Sequence, residues 1–107
     1  MTAVNKKETF GEIINGDTPV LVDFTAVWCG PCRMMKPVLE ELHQRKGDKL
    51  RIIKIDIDKS PAAASAFNVQ SVPTLILFQK GKQLWRQSGV MQASSLEKII
   101  DQLTTNK

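Results

Sequence analysis

Cys29 and Cys32 are the only cysteines of a 107-residue chain, and they stand in the run Trp28-Cys29-Gly30-Pro31-Cys32. Two thiols at this spacing can form a structural bridge, supply half of a metal site, lie inert in a core, or alternate between dithiol and disulfide. A bridge closing so short a loop removes only about 2 kcal/mol of unfolded-chain entropy, against about 4.7 kcal/mol for a hundred-residue loop, so it is a poor staple. A closed zinc site needs about four ligands. The one other soft donor, His43, falls roughly two helical turns or more further along, where a histidine is ordinarily a surface or satisfied residue. The redox reading requires a thiolate at neutral pH and a second thiol within its reach.

Those requirements fall on the elements either side of the pair. Val20-Leu21-Val22-Asp23-Phe24 follows Pro19 as a nearly continuous apolar run, the pattern of a central strand covered on both faces. Met35, Val38, Leu39 and Leu42 then recur at helical spacing up to about Gly47, which predicts a long helix starting close to Cys29, with Pro37 kinking it. At such a junction the unpaired helix N–H groups and the dipole stabilise a Cys29 anion and lower its pKa. Cys32, one turn in, can attack a bond made by Cys29. Gly30 allows the tight turn, and Pro31 suits the first helical turn while stiffening the gap between the sulfurs. Cysteines spaced this way on a strand-to-helix junction are a strong redox signal.

The remaining elements alternate. Asn5 and Glu8 suggest a capping pair for a first helix with the apolar face Phe10, Ile13 and Ile14, closed by Asn15-Gly16. Leu50 to Asp56 reads as a strand reached by a parallel crossover. Ser60-Pro61 starts a short alanine-rich helix, with serine as cap. Thr74-Leu75-Ile76-Leu77-Phe78, a turn at Lys80-Gly81-Lys82, and Gln83 to Gln87 form a hairpin. Ser94 and Glu97 suggest a capping box before a last helix with the stripe Leu96, Ile99, Ile100 and Leu103. The order predicts an α/β fold: a mixed central sheet of about four or five strands, with about four helices on both faces.

With 42% hydrophobic and 24% charged residues, the chain fits one globular domain over residues 1–107. At this size roughly 65% of the unfolded surface is buried, enough for a core without cross-links, which frees the cysteines for chemistry. The net charge of +4 is scattered apart from Lys6-Lys7 and Arg45-Lys46. Nucleic-acid binding needs a concentrated basic stripe, so it is not expected. No apolar run approaches the ~20 residues of a membrane span. Met1 to Lys7 has no apolar stretch behind its charges, so neither a secretory signal nor an anchor is expected, and a cytoplasmic monomer is the default.

Asp23 breaks its apolar strand, and a carboxylate there loses hydration, which raises its pKa. It reads either as a proton acceptor or as a satisfied acid at a strand end. Lys54 alternates with apolar residues, so it either faces solvent or lies on the adjoining strand close enough to Asp23 to modulate it.

Asp23-Phe24, Ala26, the Trp28 to Cys32 run, Pro37, Lys54, Asp56 with Asp58, Val72-Pro73-Thr74 and Gly89 together resemble the thioredoxin family, almost end to end. The resemblance implies a thioredoxin fold and a protein disulfide reductase in which Cys29 attacks a partner's disulfide and Cys32 resolves the mixed disulfide. It implies that Asp23 takes the Cys32 proton through water, with Lys54 modulating the transfer. An X-Pro bond is trans by default, but the family likeness implies a cis Val72-Pro73 bond facing the cysteines, with the Val72 backbone pairing with an extended substrate segment. Trp28, Gly89 and Val90 would complete a flat apolar surface, while Trp85 reads as structural. The resemblance further implies no bound cofactor, with electrons drawn from NADPH through a thioredoxin reductase, and roles in electron transport and cell redox homeostasis. Thr25 in place of a frequent aromatic, Met91 at an often small position, and the absence of tyrosine bear on partner preference and redox tuning. Two rivals remain: a disulfide isomerase or oxidant of an oxidising compartment, which the Gly-Pro pair and missing signal disfavour, and a docking module whose cysteines are incidental.

Overall fold

β-branched and large apolar residues at Val20, Leu21, Val22 and Phe24 put the first strand in the middle of the sheet. In the computed structural model, which describes residues 9–104, β1 (Val20–Thr25) lies between β2 (Arg51–Asp56) and β3 (Thr74–Gln79), and β4 (Lys82–Ser88) completes the order β2-β1-β3-β4. β1 runs parallel to β2, with Asp23 opposite Lys54, and antiparallel to β3, with Asp23 opposite Leu75. The β3–β4 hairpin turns at Lys80 and Gly81, both at positive φ (54° and 79°), as a right-twisted two-residue loop requires.

Among the described residues four α-helices cover the two faces: α1 (Phe10–Ile14), α2 (Gly30–Lys46), α3 (Pro61–Ala66) and α4 (Ala93–Leu103). Leu21, Ile52, Leu75 and Leu77 pack under Met35, Leu39 and Leu42 of α2 and Leu96 and Ile100 of α4. Val22, Phe24, Ile53, Ile76 and Phe78 pack on the other side against Ile13, with Phe10 and Phe67 beside them. The expected α/β sandwich of a mixed sheet with helices on both faces is the one observed. Pro37 sits inside α2 without ending it. Among the described residues, no helix is long and apolar enough to cross a membrane.

The helix caps differ from expectation. The Asn5–Glu8 pair lies outside the described residues. Thr9 caps α1, its Oγ1 accepting from Glu12 N at 3.1 Å. Ser60 stands at the N-cap of α3 but makes no capping hydrogen bond. The Ser94–Glu97 box is not formed, because α4 starts earlier, with Gln92 as N-cap, which places Ser94 inside the helix. Glu97 instead accepts from Arg45 of α2 at 3.1 Å, a tertiary bond that a local motif cannot anticipate.

Candidate active site

β1 ends at Thr25, and the chain turns through a Cys29 N–H to Ala26 carbonyl bond of 3.2 Å into α2. Cys29 is the N-cap residue in extended conformation (φ −91°, ψ 112°), and Pro31 occupies the first helical turn. Cys29 and Cys32 form a disulfide with Cα atoms 5.3 Å apart. Cys29 Sγ accepts from the Cys32 N–H at 3.2 Å, filling the place that a serine or aspartate oxygen fills at other helix starts. Burial does not tell the sulfurs apart, since Cys29 is 4% and Cys32 6% exposed. Position does: Cys29 faces the open helix N-terminus, and Cys32 lies within the helix.

Around the buried pair the surface is apolar and open. Trp28, Val27, Met34 and Val90 are exposed. Trp28 and Val90 were expected there, Val27 and Met34 were not. For Met34 a signal was present, because it falls off the Cys32, Met35, Leu39 and Leu42 stripe that α2 buries. Trp28 Nε1 donates to Asp58 Oδ2 at 2.8 Å, which fixes the ring over the surface. The Asp58 N–H is in turn held by Asp56 Oδ1 at 2.8 Å.

The Val72–Pro73 bond is cis. The Val72 carbonyl oxygen lies 3.6 Å from Cys29 Sγ, and Val72 packs with Ile57 against Ala26, Cys29 and Cys32. Gly89, at φ +98°, donates its N–H to Pro73 O at 2.9 Å. Segments far apart in sequence thus meet at one sulfur.

Asp23 shares the sheet face of Leu21, under α2, because strand side chains alternate and Val22 and Phe24 belong to the opposite cluster. It is 1% exposed, and its Oδ1 has no hydrogen-bond partner among the described residues. Burial pushes its carboxyl from an ordinary 3.8 up to about 6, against a smaller opposing pull from the Lys54 charge. Lys54 itself is exposed. Lys54 thus faces solvent while its charge lies close enough to favour the Asp23 carboxylate. His43, near the other end of α2, lines a cavity of about 420 Å³ with Val20 and Gly47, remote from the sulfurs. Trp85 packs against the α2–α4 core.

The family profile described as Thioredoxin matches residues 1–102. The chain is 48% identical over 88 residues to a thioredoxin of Alicyclobacillus acidocaldarius, covering 82% of this chain and 84% of that one. It is 47% identical over 96 residues to a thioredoxin-like protein of Synechocystis, covering 88% and 91%. Among solved structures, the oxidised mitochondrial thioredoxin 3 of Saccharomyces cerevisiae superposes with a TM-score of 0.79 at 37% identity, over 88% of this chain and 87% of that one.

Proposed function

Because the chain belongs to the thioredoxin family and is a protein-disulfide oxidoreductase, we propose that it works as a reductant of protein disulfides, with Cys29 as attacking and Cys32 as resolving sulfur. The observation that carries this assignment is the Cys32 N–H directed at Cys29 Sγ at the head of a 17-residue helix, where a thiolate gains both a hydrogen bond and the dipole.

In the reduced protein, the Cys29 thiolate attacks one sulfur of the partner's disulfide. That S–S bond breaks, a Cys29–partner S–S bond forms, and the other partner sulfur leaves as thiolate. Cys32 then loses its proton and attacks Cys29 Sγ. The mixed bond breaks, Cys29–Cys32 closes, and the second partner sulfur leaves. The partner gains the two electrons that the Cys29–Cys32 pair loses, and its two sulfurs take up two protons, one equivalent to that lost by Cys32 and one from solvent. Asp23 takes the Cys32 proton through water, a role supported by its burial under α2 and a carboxyl pushed up to about 6. Lys54 tunes it.

Val72 presents backbone beside Cys29 for an extended partner segment to pair with as an added strand. Trp28, Gly30, Pro31, Pro73, Gly89 and Val90 shape the surface that receives it. No cofactor is bound in this scheme: a thioredoxin reductase, a flavin enzyme fed by NADPH, returns two electrons to the disulfide. The whole chain acts as one domain and as a monomer in the cytoplasm, and it serves electron transport and cell redox homeostasis. Replacing Cys32 with serine should leave first attack intact and accumulate a mixed disulfide with a protein substrate, visible as added mass on Cys29. A Cys29→Ser variant should accumulate none. The reverse pattern would exchange the two roles.

A further inference from the structure

Residues 67–73, between α3 and β3, form no helix or strand, yet this strip carries the Val72 carbonyl 3.6 Å from Cys29 Sγ. Backbone outside regular structure must find its hydrogen bonds elsewhere. Much of that support comes from one edge strand. Side chains two apart on β4 project to the same face, so Arg86 and Ser88 both reach the α3 side, where Ile76, the register partner of Arg86, packs. The Arg86 guanidinium donates to the carbonyls of Phe67 and Asn68, the latter at 2.8 Å. These residues close α3, and Asn68 turns the chain at φ +52°.

Ser88 anchors the other end. Thr74 Oγ1 donates to Ser71 O at 2.7 Å, Ser88 Oγ lies 3.1 Å from Thr74 Oγ1, and Ser71 Oγ lies 3.2 Å from Ser88 Oγ. A hydroxyl has one proton to give. The Thr74 proton goes to a carbonyl, which only accepts, so Ser88 donates to Thr74 and Ser71 donates to Ser88. The three hydroxyls form a chain from Ser71 through Ser88 to Thr74 that ends on the Ser71 carbonyl, with each proton used once. Next along the chain, Gly89 N–H holds Pro73 O at 2.9 Å.

We infer that Arg86 and Ser88 are positioning residues for the substrate: β4 clamps both ends of the 67–73 strip and so sets where the Val72 backbone stands beside Cys29. Neither side chain is in contact with a sulfur. The inference rests on the reading of Val72 as the edge that pairs with a protein partner. It assigns the clamp to recognition of extended protein segments and not to sulfur chemistry, so a small disulfide that forms no added strand should be insensitive to it.

The test is single-turnover stopped flow, reading tryptophan fluorescence as the reduced, desalted protein meets either insulin or hydroxyethyl disulfide. Ser88→Ala should raise the half-saturating insulin concentration about three- to tenfold, the worth of about one net hydrogen bond. Its limiting rate should stay within about twofold, the signature of lost binding and not lost chemistry. The rate with hydroxyethyl disulfide should be unchanged. Ser88→Thr, which keeps the hydroxyl, should restore the insulin value, and Arg86→Met, which keeps the apolar stem, should repeat the loss. Unchanged half-saturation for insulin in both Ser88→Ala and Arg86→Met would overturn the inference, as would equal slowing with both substrates. A wild-type protein that does not reduce insulin would instead overturn the reductase reading itself.

Discussion

Replacing Asp23 with asparagine should make the oxidised protein more stable at mildly alkaline pH but not at acid pH. Asp23 is 1% exposed, with Oδ1 unpartnered, and its carboxyl is raised from 3.8 to about 6. Between those values the folded state binds more protons than the unfolded state, so stability falls as pH rises through the window and levels off above it. At about 1.36 kcal/mol per unit of pKa, the lost stability at pH 8 is about 3 kcal/mol. Asparagine removes the charge but still buries an amide, which returns part of the gain, leaving roughly 2 kcal/mol. Urea unfolding of both proteins at pH 3.5 and pH 8, followed by tryptophan fluorescence, gives the difference directly, since other carboxyl groups cancel between them. The variant should be about 1 kcal/mol less stable than the parent at the lower pH and roughly 2 kcal/mol more stable at the higher. A gain equal at both pH values, or a variant less stable at pH 8, would refute the burial argument.

Lys54→Met removes the charge that opposes burial, so the Asp23 carboxyl should titrate still higher than in the parent protein. Carbon-13 NMR of that carboxyl measures it, and an unmoved value would show the charge to be unimportant. Gly89 and Gly30 both have open space where a Cβ would go, but only Gly89 has a positive φ, at +98°. Gly89→Ala should therefore cost about 1–3 kcal/mol in urea unfolding through backbone strain alone. Gly30→Ala should stay within about 0.5 kcal/mol of the parent. Equal costs would mean that crowding, not φ, governs these positions.

The element order was legible because apolar periodicity is local: the run at Val20–Phe24 and the stripe at Met35, Leu39 and Leu42 each announce their element without reference to the rest of the chain. The cysteine pair was legible for the same reason, since the nucleophile, its turn and its helix lie within a few residues. Where the choice between local patterns was made by a distant partner, the reading failed. Ser94 and Glu97 fit a capping box in sequence, but Arg45 claims Glu97 from 52 residues away. The Trp28–Asp58 bond spans 30 residues and the approach of Val72 to Cys29 spans 43, so no spacing rule announces either. The cis bond at Val72–Pro73 came from family likeness, because an X-Pro pair carries no isomer signal of its own. The hydroxyl chain of Ser71, Ser88 and Thr74 was invisible until the hairpin register set Ser88 beside Thr74.

The most direct test of the central claim is the reduction potential of the Cys29–Cys32 couple, obtained by equilibrating the protein in graded thiol buffers and counting trapped thiols by mass. Thioredoxins as a class sit near about −270 mV and a strong disulfide-forming oxidant near about −120 mV. The account of a protein reductant predicts a potential close to the first. A potential close to the second would mean that the same two sulfurs make disulfides and do not break them, and would contradict it.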